Sequence, residues 1–189
     1  MSAQRNIVGI VGSLRSGSLN LALMKAAAER APASMVVEVR TLHGIPVYDG
    51  DAEVEHGIPS PVADLKEAIA AADGILVATP EYNSGMPGVR KNAIDWCTRP
   101  PKDIARVFGG KPLGLFGATP GGWGTKLARA AWLPVFRSLD VVPWLGGQLY
   151  VAKASGMFED GRLTDETIGE RLEKFMAGFD AFVEQHGRH

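Results

Sequence analysis

The feature that most constrains this chain is an apolar run that passes directly into a Ser- and Gly-rich loop and then into a helical segment. The run occupies residues 7–11, the loop GSLRSGSLN spans 12–20, and LALMKAAA at 21–28 favours helix. Gly12 and Gly17 allow the backbone to turn tightly and to approach a ligand. Because the N-terminal amides of the helix point into this loop, the layout predicts a binding site for phosphate.

Polar side chains strengthen that prediction. Ser13, Ser16, Ser18 and Asn20 offer hydroxyl and amide donors, and the guanidinium of Arg15 matches phosphate oxygens. The Walker motif and the dinucleotide fingerprint G-x-G-x-x-G are both absent from the sequence. A loop that only caps the helix remains the alternative, because Ser and Asn are common caps.

Apolar runs alternate with helical segments along the rest of the chain. Further strands are predicted at residues 35–39, 75–78 and 111–116, with a fifth strand region over 141–151. Helices are predicted from residue 21 to near Pro32 and over 64–72, 89–96, 125–139 and 164–185, while 40–61 is predicted as a long loop. Thr125 is expected to cap one helix, and Pro134 to kink it.

This alternation predicts an α/β fold in which a doubly wound, five-stranded parallel sheet lies between two helical layers, a three-layer αβα arrangement. The expected strand order is 2-1-3-4-5, with the switch point between the first and third strands. The loops after strands one, three and four then meet at one edge of the sheet. A chain of 189 residues with 46% apolar content fits a single domain over 1–189.

Composition narrows the partners and the compartment. A net charge of −1 without a Lys/Arg block argues against nucleic acid, and the lack of a long apolar run argues against membrane insertion. Without a signal-peptide pattern, we expect a cytoplasmic protein. Cys97 is the only cysteine and is predicted to be buried and inert. No metal site is expected, because the histidines are scattered without metal-ligand spacing: His43, His56, His186 and His189.

A second unusual loop follows the third strand. Its sequence, TPEYNSGMPG at 79–88, presents Pro80, Glu81, Tyr82 and Asn83 consecutively and could hold a flat ring, although a proline-rich surface turn is the alternative. A third Gly-rich stretch, GATPGGWG at 117–124, follows the fourth strand. A phosphate at one loop and a flat ring at the next describe a mononucleotide with an aromatic head.

Three motifs together resemble the NAD(P)H-dependent FMN reductase family, which has a flavodoxin-like fold and includes bacterial quinone and chromate reductases. They are GSLRSGSLN at 12–20, PEYNSGMPGVRKNAIDW at 80–96 and GATPGGWGT at 117–125. By this resemblance, the phosphate and ribityl end of bound FMN is held by Ser13, Arg15, Ser18, Leu19 and Asn20. The flavin ring is lined by Pro80, Glu81, Tyr82 and Asn83, with weaker assignments to Thr119 and Gly122.

The resemblance also implies the reaction. Hydride passes from NADPH or NADH to bound FMN, and then in a ping-pong cycle to a small electron acceptor such as a quinone or chromate. The flavin carries the chemistry, so no catalytic acid or base is expected, and Glu81 is not expected to donate a proton. A homodimer or homotetramer is implied, and the four tryptophans support an interface or a large core equally.

Two other functions remain possible from the sequence. A flavodoxin-type electron carrier would share the fold but lack a nicotinamide site, and such carriers are expected to be more acidic than this nearly neutral chain. A protein that binds another phosphorylated small molecule would not bind flavin. The natural electron acceptor and the preference for NADH or NADPH are left open by the sequence.

Overall fold

A parallel β-sheet lies at the centre of the protein, whose structure is a computed structural model that describes residues 4–187. Its strands follow the order β2-β1-β3-β4-β5, with β6 pairing to β4. The strands are β1 Arg5–Val11, β2 Met35–Arg40, β3 Gly74–Ala78, β4 Pro112–Ala118, β5 Val142–Pro143 and β6 Tyr150–Val151. The predicted doubly wound order 2-1-3-4-5 is therefore confirmed.

The fifth position in the sheet is divided between two short strands. Val142 of β5 pairs with Pro112 near the start of β4, whereas Tyr150 of β6 pairs with Gly117 near its end. Between them the chain leaves the sheet, and Trp144 packs edge-on against Phe175 with ring centroids 4.7 Å apart. The predicted strand region over 141–151 is thus interrupted over residues 145–148, between the Trp144 amide and the Leu149 carbonyl, which still hydrogen-bond to β4.

Helices cover both faces of the sheet, as predicted. They are α1 Leu19–Glu29, α2 Gly50–His56, α3 Ser60–Ala71, α4 Gly88–Cys97, α5 Ile104–Val107, α6 Lys126–Ser138 and α7 Glu166–His186. Side chains of α1 and α7 form one buried cluster with the sheet, and side chains of α3, α4 and α6 form the other. None of the helices within residues 4–187 is both long and apolar enough to cross a membrane.

The segment predicted as a long loop, 40–61, contains helical structure. Helix α2 begins where the Asp49 carboxylate accepts a hydrogen bond of 2.9 Å from the Asp51 amide. No residue of α2 is buried, so the sequence carries no apolar periodicity there. Helix α3 also begins earlier than predicted, at Ser60, because Pro61 is tolerated in the first turn.

Two smaller predictions concern single residues, and one hairpin in the structure was not predicted. Cys97 is fully buried, as predicted, and burial raises the pKa of its thiol to about 12, which disfavours the reactive thiolate. Helix α6 continues as one element through Pro134. An antiparallel hairpin of β7 Phe158–Glu159 and β8 Arg162–Leu163 was not predicted, because strands of two residues carry no periodic signal.

Candidate functional site

Three loops meet at the carboxyl ends of β1, β3 and β4. We call them the first loop (residues 12–18), the second loop (79–87) and the third loop (119–125). The Gly12 amide donates to the Ala78 carbonyl at 3.0 Å, and the Thr79 amide donates to the Phe116 carbonyl at 2.9 Å. The predicted meeting of the three loops at the switch point is therefore present, and folds of this kind bind ligands in the crevice outside these strand ends, here beyond the paired strands β1 and β3.

The first loop combines buried hydroxyls with an exposed cation. Ser13 and Ser18 are each 7% exposed, while Arg15 is exposed and its guanidinium lies about 4.0 Å from where a Cβ on Gly17 would be. The Ser18 hydroxyl accepts a hydrogen bond of 3.1 Å from the Leu21 amide. Ser18 therefore caps α1, which is also what the alternative of a purely capping loop predicts. The Ser18 O–H remains able to donate to a ligand.

The start of α1 suits an anion. Its first turn contains no acidic residue, and its free amides face the first loop. Leu19, half-buried, packs against the core beneath α1. These features fit the phosphate of FMN, because a dianion gains from hydroxyl donors, a guanidinium and a helix N-terminus together.

Asn20 joins two elements that lie far apart in sequence. Its side-chain nitrogen donates to the Ala118 carbonyl and its side-chain oxygen accepts from the Ala118 amide, both at 2.9 Å. The side chain is 3% exposed. Asn20 therefore positions the first loop against the end of β4, and direct contact with a phosphate stays a prediction.

The second loop is a tight hairpin whose tip is exposed. Tyr82 and Gly85 exchange backbone hydrogen bonds of 3.2 and 3.0 Å, and Asn83 and Ser84 between them have φ values of 49° and 61°. Positive φ at both central residues is the geometry of a type I′ turn, which Asn tolerates well. Pro80 is buried at the base, whereas the Tyr82 side chain is 53% exposed.

Glu81 connects the second loop to the start of α6. One of its carboxylate oxygens accepts hydrogen bonds from the amides of Leu127 at 2.8 Å and Ala128 at 3.0 Å. A carboxylate at this position satisfies two free amides and interacts favourably with the helix dipole. Glu81 thus fixes the loop that is expected to line the flavin ring.

The predicted cap of α6 is wrong in its residue. Thr125 lies at the N-cap position, but its φ is 64° and its side chain makes no capping hydrogen bond. The Thr125 hydroxyl is buried and has no hydrogen-bond partner among residues 4–187, and Glu81 supplies the cap instead. The sequence gives no signal for this exchange, because the two residues belong to different loops.

The third loop is braced by the segment that follows β6. The Thr119 amide donates to the Val151 carbonyl at 2.9 Å, and the Thr119 carbonyl accepts from the Ala154 amide at 3.1 Å. The Thr119 hydroxyl accepts from the Gly121 amide at 3.2 Å. Gly122 is exposed beside Trp123, whose side chain is 71% exposed. A rigid loop with an exposed indole suits the rim of a site for aromatic ligands.

Arg90 lies directly beneath the crevice and was not predicted from the sequence as a residue of the site. Its Nη2 donates to the carbonyls of Ile10 and Ala78, and its guanidinium carbon lies 5.8 Å from the Trp132 ring centroid. Burial lowers the pKa of Arg90 to about 9, so it is still charged at neutral pH. The available signal was its spacing of three residues from Ala93, which places it on the buried face of α4.

His43 also contacts the site from outside the three motifs. Its Nε2 donates to the Leu14 carbonyl oxygen across 3.1 Å, and its Nδ1 lies 3.1 Å from the Thr41 hydroxyl. Because a carbonyl can only accept, the proton must be on Nε2. His43 therefore braces the first loop from the segment after β2. His189 lies outside the described residues, and residues 4–187 contain no cluster of three or more ligands placed to hold a metal ion.

Comparison with known proteins gives consistent matches. The family model described as NADPH-dependent FMN reductase matches residues 5–156. An NAD(P)H-dependent FMN reductase of Pseudomonas aeruginosa is 39% identical over 184 residues, which are 97% of each chain. A 2-hydroxy-1,4-benzoquinone reductase of a Burkholderia species is 35% identical over 178 residues, covering 94% of this chain and 95% of the relative.

A solved structure with the same fold was also found. It is the flavoenzyme NAD(P)H:(acceptor) oxidoreductase FerB of Paracoccus denitrificans, with a TM-score of 0.84 and 34% sequence identity. The match covers 97% of this chain and 100% of that one. The flavodoxin-like fold expected from the sequence is thereby confirmed.

Proposed function

Because this chain belongs to the NADPH-dependent FMN reductase family, we propose that it binds FMN across the crevice formed by its three loops and uses it to oxidise NAD(P)H. The observation that carries this proposal is the meeting of an anion-binding first loop with the rigid second loop at the switch point. A single phosphate and an aromatic ring fit the two loops in that order.

The chain's own residues take complementary parts. Hydroxyls of Ser13 and Ser18 and the guanidinium of Arg15 hold the phosphate end, with Leu19 and Asn20 shaping the wall beside it. Pro80 supports the ring from below, and Tyr82 and Asn83 at the exposed hairpin tip border its open side. Glu81 keeps this hairpin against α6, while Thr119 and Gly122 close the third side of the crevice.

Bound FMN would supply the chemistry of a two-electron carrier, taking hydride from NAD(P)H and reducing the acceptor. The side chains of Tyr82 and Trp123, on the second and third loops, are exposed. We propose that nicotinamide and acceptor both reach the flavin ring between these side chains and use this side in turn, which is a ping-pong cycle. Quinones are the proposed acceptor class, since several relatives are named quinone reductases, and chromate is a further candidate.

The cofactor and the cycle can be tested together. Denaturing the purified protein should release FMN into the supernatant, and FAD or an absence of flavin after reconstitution would contradict the assignment. Mixing the holoenzyme with NAD(P)H alone in a stopped-flow instrument should bleach the flavin absorbance. Initial rates at several fixed quinone concentrations should give parallel double-reciprocal lines against NAD(P)H, whereas intersecting lines would indicate a ternary complex.

We also propose that the protein forms a homodimer or homotetramer. Of its four tryptophans, Trp96 and Trp132 are buried in the core, whereas Trp123 is 71% exposed beside the crevice. Leu127 and Leu133 on α6 are each 43% exposed, so apolar surface extends from the third loop along this helix. Light scattering coupled to size-exclusion chromatography should give a multiple of the 20.1 kDa chain mass.

The single buried thiol supports a reducing compartment such as the cytoplasm.

A further inference from the structure

Arg90 holds a positive charge that the described part of the chain leaves without a counter-ion. Its side chain is 2% exposed, and its Nε and Nη1 have no hydrogen-bond partner. No carboxylate oxygen in residues 4–187 approaches its guanidinium within the 4.0 Å of an ion pair. Buried cations are ordinarily paired, because removing an unpaired charge from water is costly.

The surroundings of Arg90 offer no place for a bound counter-anion. A cavity of about 20 Å³ borders the guanidinium, and its other lining side chains are apolar or aromatic, among them Ile94, Trp132 and Phe136. A cavity of this size holds about one water molecule. The charge is therefore balanced only by carbonyl dipoles and the face of Trp132 on the inner side.

The outer side of Arg90 faces the crevice. Its Nη2 donates to the carbonyl of Ile10, one residue before the end of β1, and over 2.9 Å to that of Ala78, the last residue of β3. A Cβ added to Gly12 would lie 3.1 Å from Nε, so the guanidinium lies against the backbone of the first loop. The unpaired charge thus lies directly below the junction of the first and second loops.

We propose that Arg90 is an electrostatic positioning residue whose buried charge stabilises the reduced, anionic form of FMN bound above it and so raises the reduction potential of the cofactor. The inference rests on the flavin position proposed above. The oxidised ring is neutral, whereas hydride transfer from NAD(P)H leaves a negative charge on the reduced ring near neutral pH. A fixed cation therefore favours only the product of that transfer, and low permittivity strengthens the effect.

The size of the effect follows from Coulomb's law. A unit charge within about 10 Å, at an effective permittivity of about 20, changes such an equilibrium by roughly tenfold. For a two-electron couple, a tenfold change in the ratio of affinities for reduced and oxidised FMN corresponds to about 30 mV. A shift of this size is readily measured against reference dyes.

A purely structural role is the competing explanation, since Arg90 also connects α4 to the ends of β1 and β3. Two variants separate charge from connection. Arg90→Gln keeps N–H donors without the charge, and Arg90→Met removes both. Lys91→Gln is the matched control, because Lys91 is the next residue on α4, partly exposed and paired with Asp95 at 2.7 Å.

The holoenzyme variants are compared by two measurements. The first is the two-electron reduction potential of bound FMN. The second is the dissociation constant of sulfite, which adds to the oxidised flavin and leaves a negative charge on its ring. Arg90→Gln and Arg90→Met should lower the potential by about 30 mV and weaken sulfite binding roughly tenfold. Lys91→Gln should match the wild type in both measurements.

The outcomes distinguish this inference from the function it rests on. A wild-type protein that takes up no FMN overturns the proposed function and this inference with it. FMN bound by Arg90→Gln with unchanged potential and sulfite affinity overturns the role of Arg90 alone. A failure of both Arg90→Gln and Arg90→Met to fold would assign Arg90 to structure instead.

Discussion

Two arginines at opposite ends of the sheet differ in whether a carboxylate balances their charge. At the amino end of β1, Arg5 makes two hydrogen bonds of 2.9 and 2.7 Å with the carboxylate of Asp180, which also accepts one of 2.7 Å from Ser34. At the carboxyl end, Arg90 is more deeply buried and has no carboxylate partner within residues 4–187. The hydrogen bond with Asp180 raises the pKa of Arg5, whereas burial lowers the pKa of Arg90.

The difference teaches which end of the sheet is built for stability. A paired charge that joins β1, α7 and the segment before β2 contributes to the fold. An unpaired charge destabilises the fold unless a ligand supplies the missing anion. Local departures of this kind are expected at functional sites, where the protein gives up stability for an electrostatic environment.

The largest effect is expected from breaking the amino-end pair. Asp180→Ala leaves a largely buried guanidinium with only its longer ion pair of 3.6 Å to the exposed Glu184, so the free energy of unfolding of the apoprotein should fall by about 2–4 kcal/mol. Urea denaturation measures this change. FMN affinity should be unaffected, and a large loss of affinity would contradict the separation of the two ends.

The same variant has a pH signature. Burial alone would raise the pKa of Asp180, but hydrogen bonds from Arg5 and Ser34 outweigh it and hold the pKa below the ordinary value of 3.8. A lowered carboxyl pKa stabilises the fold above the unfolded value, and this stabilisation is lost as the pH falls through the folded value. The stability difference between wild type and Asp180→Ala should therefore narrow below about pH 4.

The next effect concerns the exposed cation of the first loop. Arg15→Ala removes a charge-assisted contact worth about 1.5–3 kcal/mol, so FMN affinity should fall roughly ten- to hundredfold. Stability should not change, because Arg15 is exposed. Fluorescence titration of the apoprotein with FMN measures the affinity, with Arg137→Ala on the exposed surface of α6 as control. Unchanged affinity would show that Arg15 is a solvated surface residue that does not hold the phosphate.

A smaller loss is expected at the connection between the second loop and α6. Glu81→Ala removes the acceptor of two helix amides and should lower the free energy of unfolding by about 1–2 kcal/mol. Glu81→Gln should restore part of this, because its amide oxygen still accepts hydrogen bonds. Thermal denaturation of the two variants measures the difference. Equal stability of Glu81→Ala and wild type would show that the cap contributes nothing.

The smallest effect has the opposite sign. Arg90→Met should raise the free energy of unfolding of the apoprotein by about 1 kcal/mol, because an apolar side chain replaces an unpaired buried charge. In the wild type, burial lowers the pKa of Arg90 to about 9, below the value of an arginine in the unfolded chain, so the unfolded chain binds more protons above about pH 9 and stability rises with pH there.

Comparing the stability of wild type and Arg90→Met at different pH values isolates the contribution of the buried Arg90 charge. The advantage of Arg90→Met over wild type should be larger at about pH 8 than at about pH 10, since Arg90 loses its proton above its lowered pKa. Urea denaturation at both values measures it. A variant that is less stable than wild type at both would mean that hydrogen bonds to Ile10 and Ala78 outweigh the cost of burial.

The sequence by itself determined the order of strands and helices and the edge at which the three loops meet. These features follow from local patterns: apolar runs of strand length, helical periodicity and Gly-rich punctuation between them. The rule that parallel strands place their carboxyl ends together then brings the first, second and third loops to one crevice. Helix α2 was not predicted, because all its residues are at least partly exposed and carry no such pattern.

Only the tertiary structure decided which side chains support the site. Glu81 caps a helix 46 residues further on, Asn20 holds Ala118 across 98 residues, and Asp180 reaches Arg5 across 175. Each is a hydrogen bond between elements that packing alone brings together, and no local propensity encodes its partner. Arg90 shows the same limit: helical spacing could place it inside, but only the packed neighbours reveal that its charge is unpaired.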